Sequence, residues 1–267
     1  MDSTSITRRG LIVAAPALCV ANCGGLAGQA ETPGPINAER AARRGRITAA
    51  PVKAERSRPD LKRGTRSLGL RRDRDAVLFI PESYSADGPA TLIVFLHGAG
   101  GRPERALGII SGEVEKRGAI VLAPASQGAT WDVLEGQYGP DVAFIDRGLQ
   151  RVFDEVDVNP KRLTIAGFSD GASYALSLGL MNGKLFPNII AFSPGFMSPL
   201  SQDGRPRVFM SHGDRDPILP IEQCSRVLAP QLRERGCEVD FREFKGGHAV
   251  PPEMRQAAFE WLYRSDG

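Results

Sequence analysis

Continuous apolar runs separated by amphipathic stretches dominate the chain after residue 62. The runs are TLIVFLHG, AIVLAP, RLTIAGFS, NIIAFSPG and PRVFMSHG. Runs without polar alternation are typical of strands that are buried on both faces of a mostly parallel sheet. We therefore predict such a sheet, with VDFREF as its last strand. Two further runs, TRSLGL and AVLFIP, flank the charged turn RRDRD and predict a hairpin that opens the sheet.

The stretches between the strands have helical periodicity. The clearest apolar stripe consists of Ile145, Leu149, Val152, Phe153 and Val156. Spacings of three and four residues put these side chains on one helix face, which we expect to pack against the sheet. Alternating strands and helices predict an α/β fold with helices on both faces of a central sheet.

The first 30 residues differ in character from the rest of the chain. Arg8 and Arg9 precede an apolar run that is too short to span a bilayer, which is typical of an export signal. The stretch TRRGLI also resembles the twin-arginine pattern. We predict a signal peptide over residues 1–30, with cleavage after the small residues Gly28 and Ala30, and a periplasmic or secreted protein. A lipoprotein anchored in the membrane through Cys23 is the alternative.

Residues 31–62 are rich in Ala, Arg and Pro and contain no aromatic side chain, so we predict a disordered linker. The remaining residues, 63–267, are long enough for one catalytic domain. The chain has a net charge of +3, and its basic excess lies in the linker rather than in that domain. We therefore expect no nucleic-acid partner.

The chain has four cysteines, of which Cys19 and Cys23 fall in the predicted signal. The pattern between Cys224 and Cys237 predicts a helix. Its rise of about 1.5 Å per residue would hold the two thiols roughly 20 Å apart, beyond the reach of a disulfide. We predict that both are free and buried. Their spacing matches no zinc motif, and we expect no metal.

One junction between a strand and a helix carries a candidate nucleophile. In the stretch IAGFSDGASYA, Ser169 stands between Gly167 and Gly171. Glycines on both sides allow the sharp turn of a nucleophile elbow, which lifts a serine hydroxyl clear of the sheet. A serine hydroxyl must lose its proton as it attacks. A nucleophilic Ser169 therefore requires a base within hydrogen-bond reach.

The chain contains three histidines, and their order selects the base. His97 and His212 each close a strand and precede a glycine, which favours a packing role. Only His248 follows both Ser169 and an acid, as the order nucleophile, acid, histidine requires.

The stretch HGDRDP offers two candidates for the acid, Asp214 and Asp216. We favour Asp216 because it lies farther beyond the strand end and directly before Pro217, which biases it to an extended conformation. Asp214 then forms the turn.

Four segments together resemble the α/β-hydrolase serine esterases: FLHGAGG, DVAFIDRGLQRVFDEVDVNPKRLTIAGFSDGASYA, HGDRDPILP and GGHAVP. The exported polyhydroxybutyrate depolymerase and feruloyl esterase group is most similar, followed by the phospholipase/carboxylesterase group. The resemblance implies a Ser169, Asp216, His248 triad that works without a cofactor. It also implies an oxyanion hole formed by the backbone N–H groups of Ala99 and Asp170.

Four side chains in loops at the ligand side of the sheet are predicted to contact substrate: Trp131, Tyr138, Phe196 and Met197. The chain between Ser169 and Asp216 is too short for a large cap domain, which predicts an open cleft. We expect a small-molecule or polymeric ester as substrate, of the short-acyl, aromatic or polyester type. A peptidase or amidase is the alternative enzyme, because the same triad cleaves amides. A non-catalytic binding protein is disfavoured because all three triad residue types are present in order.

Overall fold

The computed structural model describes residues 35–51 and 61–264. Their core is a single eight-stranded sheet of order β1-β2-β4-β3-β5-β6-β7-β8. The strands are β1 (Gly64–Ser67), β2 (Val77–Ile80), β3 (Ala90–Leu96), β4 (Ile120–Ala123), β5 (Val158–Phe168), β6 (Asn188–Phe192), β7 (Arg207–Gly213) and β8 (Val239–Phe244). The opening hairpin pairs antiparallel, and every pairing from β4 to β8 is parallel. The predicted mostly parallel sheet is confirmed.

Helices cover both faces of the sheet, as predicted. They are α1 (Pro35–Ala42), α2 (Pro103–Arg117), α3 (Pro140–Phe153), α4 (Asp170–Met181), α5 (Ser225–Glu234) and α6 (Pro252–Tyr263). Apolar side chains of α2 and α6 pack in one core cluster, and those of α3, α4 and α5 pack in the other. The strand β3, ATLIVFL, is buried along its whole length between these two layers.

The predicted disordered linker is wrong for residues 35–51. Ala42, Ile47 and Ala49 are buried in the core, although this segment carries four arginines. Its backbone is held by two side chains that lie far away in sequence. Asp146 accepts hydrogen bonds from the backbone N–H groups of Thr48 and Ala49 at 2.9 and 2.7 Å, and Asn182 accepts one from Ile47 at 2.9 Å. Buried polar partners of this kind anchor a segment that its own composition does not predict to fold.

The carboxyl end of the sheet carries no inserted domain. Residues 193–206, which connect β6 to β7, form a loop without helix or strand. Cys224 and Cys237 are both free and buried, as predicted. Within residues 35–51 and 61–264, no helix is long and apolar enough to cross a membrane. The predicted signal peptide and Cys23 lie outside the described residues.

Candidate active site

Ser169 lies at the tip of a sharp turn between β5 and α4. Its backbone has φ 58° and ψ −124°, a conformation that L-residues rarely adopt and that functional turns retain. Close backbone approach explains the flanking glycines. A Cβ on Gly167 would lie 2.4 Å from the carbonyl carbon of Gly171, and a Cβ on Gly171 would lie 2.2 Å from the backbone oxygen of Leu96. Larger residues would therefore push the turn apart.

The structure brings Ser169, His248 and Asp216 together in one hydrogen-bonded line. Nε2 of His248 lies 2.9 Å from Oγ of Ser169, and Nδ1 of His248 lies 2.6 Å from Oδ2 of Asp216. Ser169 and Asp216 are buried, and the His248 side chain is 15% exposed. The Nδ1 proton of His248 is thus held by the carboxylate, which leaves Nε2 free to accept the serine proton.

Asp216 is stabilised in its ionised form by several donors. Its Oδ1 accepts hydrogen bonds from the backbone N–H groups of Ile218 and Leu219, both at 2.9 Å. Burial by itself would raise the pKa of Asp216, but the bonds from Leu219, His248 and Ile218 hold the pKa below its ordinary value. A carboxylate that stays ionised can stabilise the imidazolium of His248 when that ring takes up a proton.

Asp214 has the turn-forming position that the sequence suggests. Its Oδ1 accepts a hydrogen bond from the backbone N–H of Gly246 at 3.0 Å, and its own N–H donates to Phe244. These bonds tie the turn after β7 to the loop after β8, which carries His248. The Phe168 ring supports the same imidazole, with the ring centroids 4.8 Å apart.

His212 contacts the candidate acid, a relationship that the sequence analysis missed. Its ring is fully buried, and Nε2 lies 2.7 Å from the Leu219 carbonyl oxygen and 3.2 Å from Oδ2 of Asp216. Nδ1 lies 2.7 Å from Oγ of Ser225. Burial lowers the pKa of His212, which keeps the ring neutral with its proton on Nε2. His212 therefore packs, as predicted: its Nε2–H donates to Leu219, and the ring lies against the carboxylate that binds His248.

His97 orders the loop that faces Ser169, and its predicted packing role is confirmed. Its Nδ1 donates to the carbonyl of Gly98 at 2.7 Å, and its Nε2 accepts the backbone N–H of Ser126 at 3.0 Å. The N–H of Gly101 donates to the same Gly98 carbonyl, which closes a tight turn. A Cβ on Gly98 would lie 3.2 Å from Cβ of Ser169, so the loop approaches the serine closely.

Two backbone N–H groups lie where the sequence predicts oxyanion donors. Ala99 is exposed on the loop beside Ser169, and its N–H has no acceptor among residues 35–51 and 61–264. Asp170 is the first residue of α4, so its N–H has no acceptor within the helix. Its carboxylate is turned aside, since Oδ2 accepts a hydrogen bond from Oγ1 of Thr130 at 2.7 Å. A role for these groups as an oxyanion hole stays a prediction.

The prediction that Trp131 and Tyr138 contact substrate is wrong, because both rings are buried. Trp131 lies between His97 and Tyr174, at centroid distances of 4.9 and 5.1 Å, and its indole N–H donates to the His97 carbonyl. Tyr138 donates its hydroxyl to the carbonyl of Ser198 at 2.7 Å. Burial raises the pKa of Tyr138 to about 12. Trp131 instead supports the loop that approaches Ser169.

Two buried carboxylates hold the loop that carries Trp131. Asp132 and Asp141 accept each other's backbone N–H, at 2.9 and 3.0 Å. Asp141 also accepts the N–H of Gln127, and Asp132 accepts the hydroxyl of Tyr174. Burial, together with the Asp132 charge, raises the pKa of Asp141 to about 7.

Phe196 and Met197 lie in the loop after β6 and are both partly buried. The Phe196 N–H and the Gly195 N–H donate to Oγ of Ser173 in α4, which fixes this loop next to the turn of Ser169. Met197 packs against the core cluster. Substrate contact by Phe196 and Met197 stays a prediction. In the described ranges, no three His, Cys, Asp or Glu side chains gather as a metal site would require.

The chain is similar in sequence to known esterases. Residues 143–265 match the phospholipase/carboxylesterase family. The chain is 29% identical over 191 residues to a probable feruloyl esterase C of Aspergillus niger, covering 67% of each chain.

Two solved structures share the fold. Esterase PE8 aligns with a TM-score of 0.57 at 23% identity, over 69% of this chain and 97% of its own. The Bacillus cereus carboxylesterase aligns with a TM-score of 0.56 at 20% identity, over 70% of this chain and 92% of its own. The chain therefore has the α/β-hydrolase fold, and its residues 143–265 are similar to the phospholipase/carboxylesterase family.

Proposed function

We propose that this protein is a serine esterase that hydrolyses carboxylic esters through an acyl-enzyme. One observation carries the proposal: a continuous hydrogen-bonded line runs from Oγ of Ser169 through His248 to Asp216, at 2.9 and 2.6 Å. These distances are within the range that proton transfer between a nucleophile and its base requires. The similarity to proteins named feruloyl esterase and carboxylesterase supports the same chemistry.

In the first half of the proposed reaction, Oγ of Ser169 attacks the ester carbonyl carbon while its proton passes to Nε2 of His248. The tetrahedral intermediate then collapses. The bond to the alcohol oxygen breaks, and His248 returns the proton to that oxygen, which leaves an acyl group on Ser169. In the second half, water attacks the acyl carbonyl while His248 takes its proton. The bond between the acyl carbon and Oγ of Ser169 then breaks, His248 returns the proton to Oγ, and the carboxylic acid is released.

The intermediate carries a negative oxygen that needs donors fixed in advance. We assign this role to the backbone N–H groups of Ala99 and Asp170, each of which contributes roughly 2.7–4 kcal/mol in comparable sites. The start of α4 adds the positive end of a helix dipole at the same position. The hydrogen bonds that His97 makes with Gly98 and Ser126 support the proposal, because they hold the loop that carries Ala99 in place.

The proposed substrates are short-acyl, aromatic or polyester-type esters. Support comes from the short connection over residues 193–206, which leaves the carboxyl end of the sheet without a cap domain, and from the similarity to a probable feruloyl esterase. An open cleft offers little apolar area to a long acyl chain. Phe196, which is partly buried in the loop after β6, is the aromatic side chain that we assign to substrate contact.

A panel of matched esters and amides tests the reaction class. Phenyl butyrate and its anilide differ only at the leaving atom, so the ratio of their kcat/KM values separates an esterase from an amidase. We expect hydrolysis of the ester alone, and loss of that hydrolysis in Ser169→Ala and in His248→Ala while both variants stay folded by circular dichroism. Comparable amide cleavage would favour the peptidase alternative, and activity that survives in His248→Ala would refute the triad.

We further propose export, on the strength of the paired arginines and the short apolar run near the N-terminus. Mass spectrometry of the protein from its native cell tests this. A new N-terminus near residue 30 is expected. A diacylglycerol on Cys23 would favour the anchored form, and an intact Met1 in cytosolic material would overturn export.

A further inference from the structure

A pocket of about 320 Å³ opens directly beside Ser169. Two of its lining residues flank the serine: Phe168 precedes it in the chain, and Gly98 would touch it if it carried a Cβ. The same Phe168 ring packs against His248. A chemical group bound in this pocket is therefore only a few bonds from the carbonyl that Ser169 attacks.

The pocket has an apolar floor and a cationic mouth. The floor consists of Phe168, Ile109 and Ala106, and the mouth consists of Arg102 and Arg105. Arg102 immediately precedes α2 in an extended conformation and Arg105 lies in the first turn of α2, and both side chains line the pocket. Both arginines are exposed.

The positive charge at this mouth is not neutralised by the chain. Across the described part of the chain, neither arginine forms an ion pair or a side-chain hydrogen bond. Glu104 lies between them and lines the adjoining groove, yet it pairs with neither. His97, the remaining titratable residue of the pocket, has both ring nitrogens bonded. The nearby Asp170 carboxylate is bound to Thr130.

We propose that this pocket binds a carboxylate of the substrate, so that the preferred esters carry an anionic group a few atoms from the scissile bond. Guanidinium groups match the planar geometry of a carboxylate, and the apolar floor accommodates the short chain that joins the carboxylate to the ester. Half-esters of dicarboxylic acids and ester oligomers with a free carboxylate end have this chemistry. The inference rests on the esterase function proposed above and specifies its substrate class.

Two matched pairs of substrates test the inference and distinguish an acyl-side from an alcohol-side carboxylate. The acyl-side pair is monoethyl glutarate and ethyl glutaramate. The alcohol-side pair is 3-carboxyphenyl butyrate and 3-carbamoylphenyl butyrate. Each pair differs by one negative charge at nearly constant shape. We expect kcat/KM to be about tenfold higher for the charged member of at least one pair, with the preference shrinking as salt is added.

The variant Arg102→Gln/Arg105→Gln should abolish that preference and leave the neutral esters within twofold. Arg117→Gln provides the control, because it removes a charge from the same helix about 18 Å from Arg105 along the axis, and it should keep the preference. Equal rates within both pairs, or a preference that survives the double variant, would overturn the inference while the esterase function stands. Absence of any hydrolysis that depends on Ser169 would overturn the proposed function, and this inference with it.

Discussion

Nε2 of His212 lies 3.2 Å from Oδ2 of Asp216, the same oxygen that binds His248. The carboxylate that orients the candidate base is thus itself oriented by a second, neutral histidine. His212 is held in turn by Ser225 through its other ring nitrogen.

The first prediction follows from this contact. His212→Phe keeps an aromatic ring but removes a polar group that contacts the Asp216 carboxylate, so kcat for a short ester should fall roughly tenfold with little change in KM. Ser225→Ala removes only the far partner of His212 and should lower kcat less. Steady-state kinetics of both variants measures the difference, and an unchanged kcat in His212→Phe would assign His212 to packing alone.

Replacement of the two aspartates after β7 separates the acid from the turn residue. Asp216→Asn preserves size but holds the wrong tautomer of His248, and a loss of about 10⁴ in kcat is expected from that mechanism. Asp214→Asn disturbs the hydrogen bond from Gly246 and the exposed ion pair with Arg215, neither of which involves His248, and should cost less than about tenfold. Steady-state kinetics of both variants measures the difference. Equal losses, or the reverse ranking, would reject Asp216 as the acid.

Acyl chain length provides a further prediction. Because the loop over residues 193–206 adds no cap above Ser169, p-nitrophenyl butyrate should be cleaved with a higher kcat/KM than the palmitate ester. The rate should not jump when the substrate forms an interface, since no lid has to open. A clear preference for palmitate would contradict the open cleft.

Asp141 should give the stability a distinctive dependence on pH. Its pKa of about 7 in the folded protein lies above the ordinary 3.8, so between these values the folded state holds a proton that the unfolded state releases. The contribution of Asp141 to the free energy of unfolding therefore falls as pH rises from about 4 to 7. Urea denaturation between pH 4 and 7 measures this dependence of the free energy of unfolding on pH. We expect it to be absent from Asp141→Asn. Asp216→Asn should leave the slope between pH 4 and 7 unchanged, because the pKa of Asp216 is lowered and its contribution to stability changes only below about 3.8.

The strands and the order of the site residues could be predicted from local patterns. The run TLIVFLHG is apolar throughout because β3 is buried between two helical layers. Ser169 needs its flanking glycines because backbone atoms approach Gly167 and Gly171 too closely to leave room for a Cβ. These constraints act on neighbouring positions and are visible in the sequence.

The features that the sequence did not predict depend on partners far along the chain. Residues 35–51 look like a linker because their anchors, Asp146 and Asn182, lie about 100 residues or more away. Trp131 looks available to substrate because its stacking partner, Tyr174, belongs to a different element. The composition of a segment does not reveal contacts with residues that are distant in the sequence.

Covalent labelling identifies the residue that acts as the nucleophile. The folded protein is incubated with a fluorophosphonate, digested, and analysed by mass spectrometry. We predict a single phosphonylated peptide that carries the modification on Ser169, with no label in Ser169→Ala and much slower labelling in His248→Ala. A label on another serine, or a folded wild-type protein that takes up none, would contradict the account.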